Sequence, residues 1–416
     1  MRLPAVFQRL SASNLAAQSA EQIALATTPM LAVLGLGAGA GETGLLSAAQ
    51  SLPFLLLSLP AGVLADRLRR KQLMIGAELL RALALLTLPL LLWQQALSLP
   101  LLAAIGALTA TGTVVYSVAV PALLPGLVAR EDLAAANTRL ELARSLAFAG
   151  GPALAGLLVS GFGASAAFVL AALLSLGASG LLAGMHEAPP AASTRRAIAA
   201  ELREAFDFVR RHTYLRPIMA AGLVWNLSWF VLQSVYVLYA AQHLQFDAAA
   251  IGLTLAAYGC GMLAGAVAAP RISRHLAVGR FIASGPLASV AAGLLLLARW
   301  AAPGLGAPAL LAPMLGFFLF GFGPILWTIG QTTLRQAVTP QAMLGRVSAL
   351  FMMAGYGARP VGAALGGLVG TTLGLQWALG LSALGFILQA GIILASRIPT
   401  LRLLPEIRTA SGLADT

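Results

Sequence analysis

Charged residues are scarce in this chain, at 10% of its 416 residues, whereas hydrophobic residues make up 59%. A soluble domain usually carries roughly a quarter charged residues, enough to keep its surface in water. This shortage argues against a soluble enzyme. Apolar stretches of about 20 residues recur along the whole length, and each can cross a hydrocarbon core of roughly 30 Å. We therefore expect an all-α polytopic membrane protein of about twelve transmembrane helices.

The motifs of common catalytic and metal sites are also missing. A phosphate-binding loop needs Gly-Lys-Ser or Gly-Lys-Thr, but the single lysine, Lys71, follows Arg70. HExxH and GxSxG do not occur, and the four histidines are scattered. The single cysteine, Cys260, leaves no internal disulfide. These absences exclude an ATP site within the chain, though a separate ATPase partner stays open. We expect no enzyme activity, no metal and no cofactor.

Basic residues dominate the remaining charge, and they occur in alternate loops. The net charge of +12 would fit a nucleic-acid-binding protein if these residues formed one patch. By the positive-inside rule, alternate basic loops and both termini are cytoplasmic. We expect no nucleic-acid partner and, because arginine far outnumbers lysine, the inner (plasma) membrane of a bacterium. The clusters are Arg67 to Lys71, Arg130 to Arg144, Arg195 to Arg216, Arg271 to Arg280, Arg335 to Arg346 and Arg397 to Arg408.

One long polar stretch divides the chain into two similar halves. Within it, Glu201 to Arg211 predicts an amphipathic cytoplasmic helix. The halves echo each other, since GGPALAG around Pro152 has a counterpart in GARPVGAALGG around Pro360. Internal repeats of this kind are common among secondary transporters. The predicted domains are a first six-helix bundle at 1–188, a linker at 189–214, and a pseudo-symmetric second six-helix bundle with a short cytoplasmic tail at 215–416.

Polar and aromatic residues in the first, fourth, seventh and tenth predicted spans each fall on one helical face. Polar side chains in a bilayer normally face protein or a water-filled cavity, because lipid leaves their hydrogen bonds unmade. We predict that these four helices surround a central cavity; packing of helix against helix is the alternative. The predicted cavity residues are Asn14, Gln18 and Thr28, then Thr109, Thr113 and Tyr116, then Asn226, Trp229, Gln233 and Tyr236, then Phe317, Phe320, Trp327 and Gln331.

Two ionisable residues lie deep in predicted spans of opposite halves, Glu21 in the first and Arg359 in the eleventh. A carboxylate in a cavity that alternately wets and dries can take up and release a proton. An arginine stays charged and needs a counter-charge, a cluster of carbonyls or an anionic substrate. Glu21 is thus the candidate for proton coupling, and Arg359 is its charge partner or a substrate contact. A fixed Glu21–Arg359 ion pair stays open, and Glu78 with Arg81 is interpreted as a structural pair.

The segment GVLADRLRRK resembles the signature loop between helices 2 and 3 of the major facilitator superfamily. ALLPGLVAREDLAAAN, GGPALAG and LGRVSAL are similar to the branch of that superfamily that contains the enterobactin exporter and macrolide efflux proteins. The resemblance implies two halves that rock about a midplane site and alternate its access. It also implies a gating loop at Gly62, Asp66, Arg67, Arg70 and Lys71, and a fifth-helix efflux motif at Gly151, Pro152 and Gly156.

Residues and resemblance together predict a secondary active transporter. We expect it to move a small hydrophobic or amphipathic molecule by alternating access, as proton-coupled efflux. The expected partners are the lipid bilayer, a small-molecule substrate and protons, and a monomer should suffice. The alternatives are a lysophospholipid transporter or flippase and a non-transporting membrane sensor. Transport assays with drugs and with labelled lysolipid separate these functions.

Overall fold

The structure, a computed structural model, describes residues 4–124, 127–129, 132–185, 198–301, 310–340 and 343–404. These residues form helices and turns, and no strand occurs among them. The first bundle contains α1 (Ala5–Met30), α2 (Ala40–Arg67), α3 (Arg70–Trp93), α4 (Leu99–Leu123), α5 (Leu133–Phe162) and α6 (Ala164–Ala183). After α7 (Ile198–Arg211), the second bundle contains α8 (Leu215–Gln242), α9 (Ala248–His275), α10 (Val278–Ala301), α11 (Leu311–Val338), α12 (Leu344–Thr372) and α13 (Leu375–Leu394).

The two bundles share one packing scheme. In the first, α1 packs against α5 and α6, α3 against α4 and α6, and α2 against α4. In the second, α8 packs against α12 and α13, α10 against α11 and α13, and α9 against α11. Each contact therefore recurs seven helices later. The equivalent turns before α6 and α13 use Gly163 and Gly374, whose φ angles of 80° and 103° favour glycine. The prediction of two pseudo-symmetric six-helix bundles is confirmed.

Within the described part of the chain, nine helices are long and apolar enough to cross a membrane. They are α3 to α6, α8 to α11 and α13. The helices α1, α2 and α12 have similar lengths of 26, 28 and 29 residues. Polar, charged or small residues are frequent in α1 and α12. The three helices pack against the apolar helices, with α1 on α5, α2 on α4 and α12 on α8, and so complete the two bundles.

The bundles contact each other along α2 with α12 and along α5 with α9. Glycines let these backbones touch: a Cβ on Gly44 would lie 2.4 Å from the Cα of Gly367, and one on Gly156 would lie 2.9 Å from the Cα of Gly252. Gly44 and Gly252 lie near the starts of α2 and α9, while Gly156 and Gly367 lie towards the ends of α5 and α12. Because α8 begins directly after α7 and successive helices return, these close approaches are at the end of the molecule remote from α7.

The helix α7 packs against the start of α12. Its Ala205 and Val209 are fully buried beside Leu215 and Val347. On its outer face, Glu204 accepts a hydrogen bond from Arg346 at 2.6 Å. An amphipathic helix was expected here, and the structure has one, whereas residues 189–197 of the predicted linker lie outside the described residues. We call the end of the molecule that carries α7 the linker end.

Candidate substrate cavity

A cavity of about 450 Å³ lies between the bundles and is bounded mostly by the second. This volume is within the usual range of small-molecule sites, about 300–1,000 Å³. Its wall is aromatic, polar and basic, and no acidic residue occurs among the described residues that line it. The side chains that give it this chemistry are Trp225, Tyr258, Trp327, Phe351 and Tyr356, the amides of Asn226 and Gln331, and the guanidinium groups of Arg144, Arg335 and Arg359.

The cavity lies towards the linker end. Its wall uses residues 218–226 near the start of α8, 321–335 in the later part of α11, and 351–359 in the first half of α12. The Gly44–Gly367 and Gly156–Gly252 contacts between the bundles lie at the other end of the molecule. The molecule is therefore closed by backbone contact at one end and hollow towards the other.

Arg359 is surrounded by aromatic rings from three helices. Its guanidinium carbon lies 5.3 Å from the ring centre of Phe54, 5.3 Å from that of Phe230 and 4.5 Å from that of Tyr356. Rings at this distance attract a cation through their quadrupoles but carry no negative charge. The Nε atom of Arg359 is buried without a hydrogen-bond partner. Aromatic contacts thus hold the Arg359 guanidinium in the wall, while its Nε–H donor has no acceptor.

Arg335 has a similar environment, and Arg144 has a different one. The Arg335 guanidinium lies 4.9 Å from the ring centre of Phe351, and its Nε atom is also buried without a partner. Arg144 forms an ion pair with Glu141, and its Nε lies 3.0 Å from Glu141 Oε2. Within the described part of the chain, Arg144 is therefore the one wall arginine matched by a carboxylate at ion-pair distance.

A second charged group lies inside the first bundle. Arg81 and Glu78 of α3 form an ion pair with both side chains almost fully buried, and Arg81 Nη1 lies 2.7 Å from Glu78 Oε1. Arg81 also donates to the carbonyl of Ala17 in α1, at 3.2 Å, and to Thr113 Oγ1 in α4, at 2.9 Å. This pair joins α1, α3 and α4, as the structural interpretation from the sequence expected.

Glu21 lies on α1 near this group and outside the cavity wall. The charged side chains that act on it are, in falling order of effect, Arg81, Glu78, Arg144 and Arg359. Among the described residues it forms no ion pair with Arg359 or with another base. The fixed Glu21–Arg359 ion pair, held open by the sequence, is absent from this conformation. Glu21 nevertheless acts electrostatically on two arginines of the cavity wall.

Comparison with known proteins bears on this arrangement. Residues 6–409 match the model of a major facilitator family described as transmembrane secretion effectors. The chain belongs to the major facilitator superfamily. It is 26% identical over 404 residues to the multidrug efflux pump Tap of Mycobacterium tuberculosis (strain H37Rv), covering 94% of this chain and 92% of that one. It is 30% identical over 347 residues to the enterobactin exporter EntS of Citrobacter koseri, covering 82% and 79%.

Solved structures of other major facilitator-type transporters have the same fold. A mutant form of the nucleoside transporter NupG superposes with a TM-score of 0.75 at 12% identity, covering 94% of this chain and 99% of that one. A bacterial homologue of the iron transporter ferroportin in an inward-facing state gives a TM-score of 0.72 at 19% identity, covering 95% and 99%. The predicted family, fold and class of membrane transporter are thus confirmed.

Three predicted cavity residues of this major facilitator transporter lie in the wall. Asn226, Trp327 and Gln331 line the cavity from α8 and α11. Trp229 lies directly behind the wall, stacked on Trp225 with ring centres 5.6 Å apart. The helices of the predicted seventh and tenth spans therefore line part of the cavity, and only part of each predicted face reaches it.

The remaining predicted cavity residues lie outside the cavity wall in this conformation. Gln18 and Gln233 are half-buried outside the wall. Tyr236, Phe317 and Phe320 form an aromatic core with Trp229, in which Tyr236 donates to Thr254 at 2.5 Å. In the first bundle, Asn14 donates to the carbonyl of Leu140, Thr28 to that of Ala24 and Thr109 to that of Gly106, Thr113 accepts from Arg81, and Tyr116 meets Ser13. Their roles in transport remain predictions.

The fifth-helix motif lies where α5 meets its neighbours. A Cβ on Gly151 would lie 2.5 Å from the Cβ of Gln22 in α1, and Gly156 touches Gly252 across the bundles. The carbonyl oxygen of Pro152 lies 2.5 Å from a Cβ built on Gly252. The small residues therefore allow close packing within the first bundle and at the closed contact between bundles.

The signature loop is described in part. Arg70 and Lys71 begin α3, and Lys71 Nζ donates to the carbonyls of Ala183 at 2.7 Å and Met185 at 2.6 Å. Lys71 thus joins the start of α3 to the end of α6. Gly62, Asp66 and Arg67 fall within α2, but their surroundings lie outside the described part of the chain. The gating role of the loop stays a prediction.

Sequence reasoning missed several wall residues that a helical extension of the same faces would have found. Arg335 follows Gln331 by four positions on α11, and Trp225 precedes Trp229 by four on α8. Residues four apart share a helical face. Tyr258 of α9 had no such signal, because no polar face was predicted on its helix.

Proposed function

We propose that this transporter exports a small amphipathic molecule from the cytoplasm by alternating access, coupled to proton entry. The positive-inside rule supports a cytoplasmic linker end with both chain termini there, in the inner (plasma) membrane of a bacterium. A cavity that lies towards this end receives its substrate from the cytoplasm. The similarity to a multidrug efflux pump and to an enterobactin exporter supports export as the direction.

One observation carries the proposal: the bundles touch at the end remote from α7 and leave a cavity towards the linker end. In alternating access, two bodies rock about a site so that it opens to one side at a time. Residues 1–188 and 215–416 are the two bodies here, and one chain supplies both. The glycine contacts then form the closed outer gate, which must part for release.

Glu21 is the proposed proton carrier. It lies in the first bundle, has no ion-pair partner among the described residues, and acts on Arg144 and Arg359 of the cavity wall. Gain of a proton removes its negative charge and weakens its attraction for both arginines. Proton occupancy at Glu21 and ligand occupancy in the cavity are thereby linked through electrostatics.

Export is tested in a bacterial host that lacks its major efflux pumps. A panel of amphipathic antibiotics and dyes should include compounds to which expression of this chain raises tolerance. Everted membrane vesicles with an acidic interior should then accumulate those compounds. Absence of raised tolerance and of accumulation across the panel would contradict the export function.

The outer gate is tested by a disulfide across it. A Cβ on Gly41 would lie 3.9 Å from the Cβ of Thr371, within the range of about 3.5–4.5 Å that disulfides need. We expect Gly41→Cys with Thr371→Cys, in a Cys260→Ser background, to form a cross-link that stops transport until it is reduced. Each single-cysteine variant under the same oxidant is the control. Transport at the unmodified rate by fully cross-linked protein would contradict the assignment of these contacts as the outer gate.

A further inference from the structure

We propose that the cavity recognises an organic anion: a molecule with a flat, apolar body and an anionic oxygen group that binds Arg335 and Arg359. This inference rests on the proposed export function and names its substrate class. It begins from the charge of the cavity wall, which contains three guanidinium groups and no carboxylate. Arg144 is matched by Glu141. Arg335 and Arg359 leave the wall with unmatched positive charge.

The surroundings of these two arginines hold the side chains in place but do not supply all their hydrogen-bond acceptors or a counter-charge. A guanidinium offers five N–H donors in a planar fork. Three rings surround Arg359 and one ring, that of Phe351, lies against Arg335, and in each arginine the buried Nε lacks a hydrogen-bond acceptor. Aromatic rings attract a cation but do not replace an oxygen acceptor. A carboxylate, sulfonate or phosphate oxygen entering the cavity would supply both the acceptor and the counter-charge.

Among the described residues, the protein offers these two arginines no carboxylate at ion-pair distance. Between residues 215 and 404 the sequence contains one acidic residue, Asp247. Asp247 caps the start of α9, where its Oδ1 accepts from the N–H of Ala250 at 2.8 Å, at the end remote from the linker. In the first bundle, Glu78 is paired with Arg81. Glu21 acts on Arg359 more weakly than on Arg81.

The shape of the cavity selects the body of the anion. Trp225, Trp327 and Tyr258 present large rigid faces, and Tyr356 lies beside Arg359. Flat aromatic surface favours a ligand that stacks. A volume of about 450 Å³ admits a molecule of several fused rings. A planar aromatic acid meets both requirements at once.

Two xanthene dyes distinguish recognition of the ligand's charge from recognition of its shape. Fluorescein is an anion at neutral pH, whereas rhodamine 6G has the same ring system and is a cation. Their binding is measured by fluorescence anisotropy, using purified full-length protein in nanodiscs of uncharged lipid and empty nanodiscs as the blank. We expect fluorescein to bind more tightly. Arg359→Gln and Arg335→Gln should each weaken fluorescein by about tenfold or more, the loss expected for a charge-assisted hydrogen bond.

The controls isolate recognition from folding. Arg216→Gln removes an exposed arginine from the linker end of the same bundle, outside the wall, and should leave both affinities unchanged. Arg359→Lys keeps the charge without the planar fork and should lose less affinity than Arg359→Gln. Thermal melting of each variant checks that the fold is intact. Rhodamine 6G should bind as well or better after either arginine is removed.

The outcomes also separate this inference from the export function. Tighter binding of rhodamine 6G than fluorescein, equal loss of both dyes in Arg359→Gln, or no fluorescein binding overturns the anion site. Export of a neutral or cationic compound without fluorescein binding leaves the transporter standing and removes the anion class. Fluorescein binding that responds to Arg359, without transport of any compound in vesicles, keeps the site and removes the export function.

Discussion

The two bundles share a packing scheme and differ in how they treat charge. The first bundle buries Glu78 and Arg81 as a pair that also bonds α1 and α4. The second places Arg335 and Arg359 in a cavity wall among aromatic rings, with no carboxylate of its own nearby. Duplication thus preserved the helix contacts, while the side chains in them diverged.

This difference assigns separate tasks to the halves. A buried ion pair with further hydrogen bonds fixes helices relative to one another, since breaking it leaves an uncompensated charge. An unmatched cation beside a cavity is suited to bind a ligand instead. Glu21 interacts with both groups, because it acts on Arg81 of the first bundle and on Arg359 of the second. The three predictions below test this division, in order of their expected effect on the fold.

The largest effect on the fold should follow from breaking the buried pair. Arg81→Ala leaves Glu78 buried without its counter-charge and should destabilise the protein by about 3–5 kcal/mol. Arg359 forms no ion pair in the described structure, so Arg359→Ala leaves no buried carboxylate without its partner. Its effect on stability should therefore be clearly smaller than that of Arg81→Ala. Thermal melting of purified protein and abundance in the membrane measure both.

The matched control for this contrast replaces both members of the pair. Glu78→Met with Arg81→Met keeps similar volumes and strands no charge, so much of the stability should return. Equal destabilisation by Arg81→Ala and Arg359→Ala would mean that both arginines are structural, and the division between the bundles would fail.

Substitution of two tryptophans of the second bundle should distinguish a residue of the packed core from a residue of the cavity wall. Trp229 contacts Trp225, Tyr258 and Phe320, and it lies behind the wall. Trp229→Ala should therefore cost about 3–5 kcal/mol of stability. Trp327→Ala enlarges the cavity instead and should change the range of transported compounds at a smaller cost. Melting temperature and transport per molecule distinguish these outcomes; equal loss of both properties in both variants would place Trp327 in the core.

The fold could be predicted from the sequence because it depends on long, repeated signals. Apolar stretches, alternate basic loops and the echo around Pro152 and Pro360 all report the same two-bundle design. These signals sum over many residues, so single polar exceptions did not obscure them. The glycine-rich faces of α9 and α12 pack closely within the second bundle and, through α12, against α2.

The wall of the cavity was harder to predict, for two physical reasons. Helical periodicity identifies the polar face of one helix, but a cavity is made where faces of several helices meet. In addition, α5 and α11 extend beyond their apolar segments, to Leu133 at one end and Val338 at the other. Arg144 and Arg335 therefore resembled loop cations in the sequence, although both lie within helices that line the cavity.

The smallest effect on the fold, with a large effect on transport, should follow from Glu21→Gln. Glutamine has a shape close to that of the protonated acid but cannot release a proton. Glu21 forms no ion pair in the described structure, so its replacement strands no buried partner. We expect normal abundance and substrate binding, with downhill exchange retained and accumulation driven by a pH gradient lost. Proteoliposomes under an imposed pH gradient measure this directly.

An imposed membrane potential shows whether the same variant has lost proton coupling alone or transport altogether. Moving one elementary charge across 100 mV is worth about 2.3 kcal/mol, so an interior-negative potential by itself favours exit of an anion. Glu21→Gln should therefore still respond to an imposed potential after losing its response to pH. Glu204→Gln, which removes an exposed carboxylate that bonds Arg346, is the control and should retain both responses. Accumulation by Glu21→Gln with unaltered pH dependence would show that another group carries the proton, because no carboxylate would remain at that point on α1.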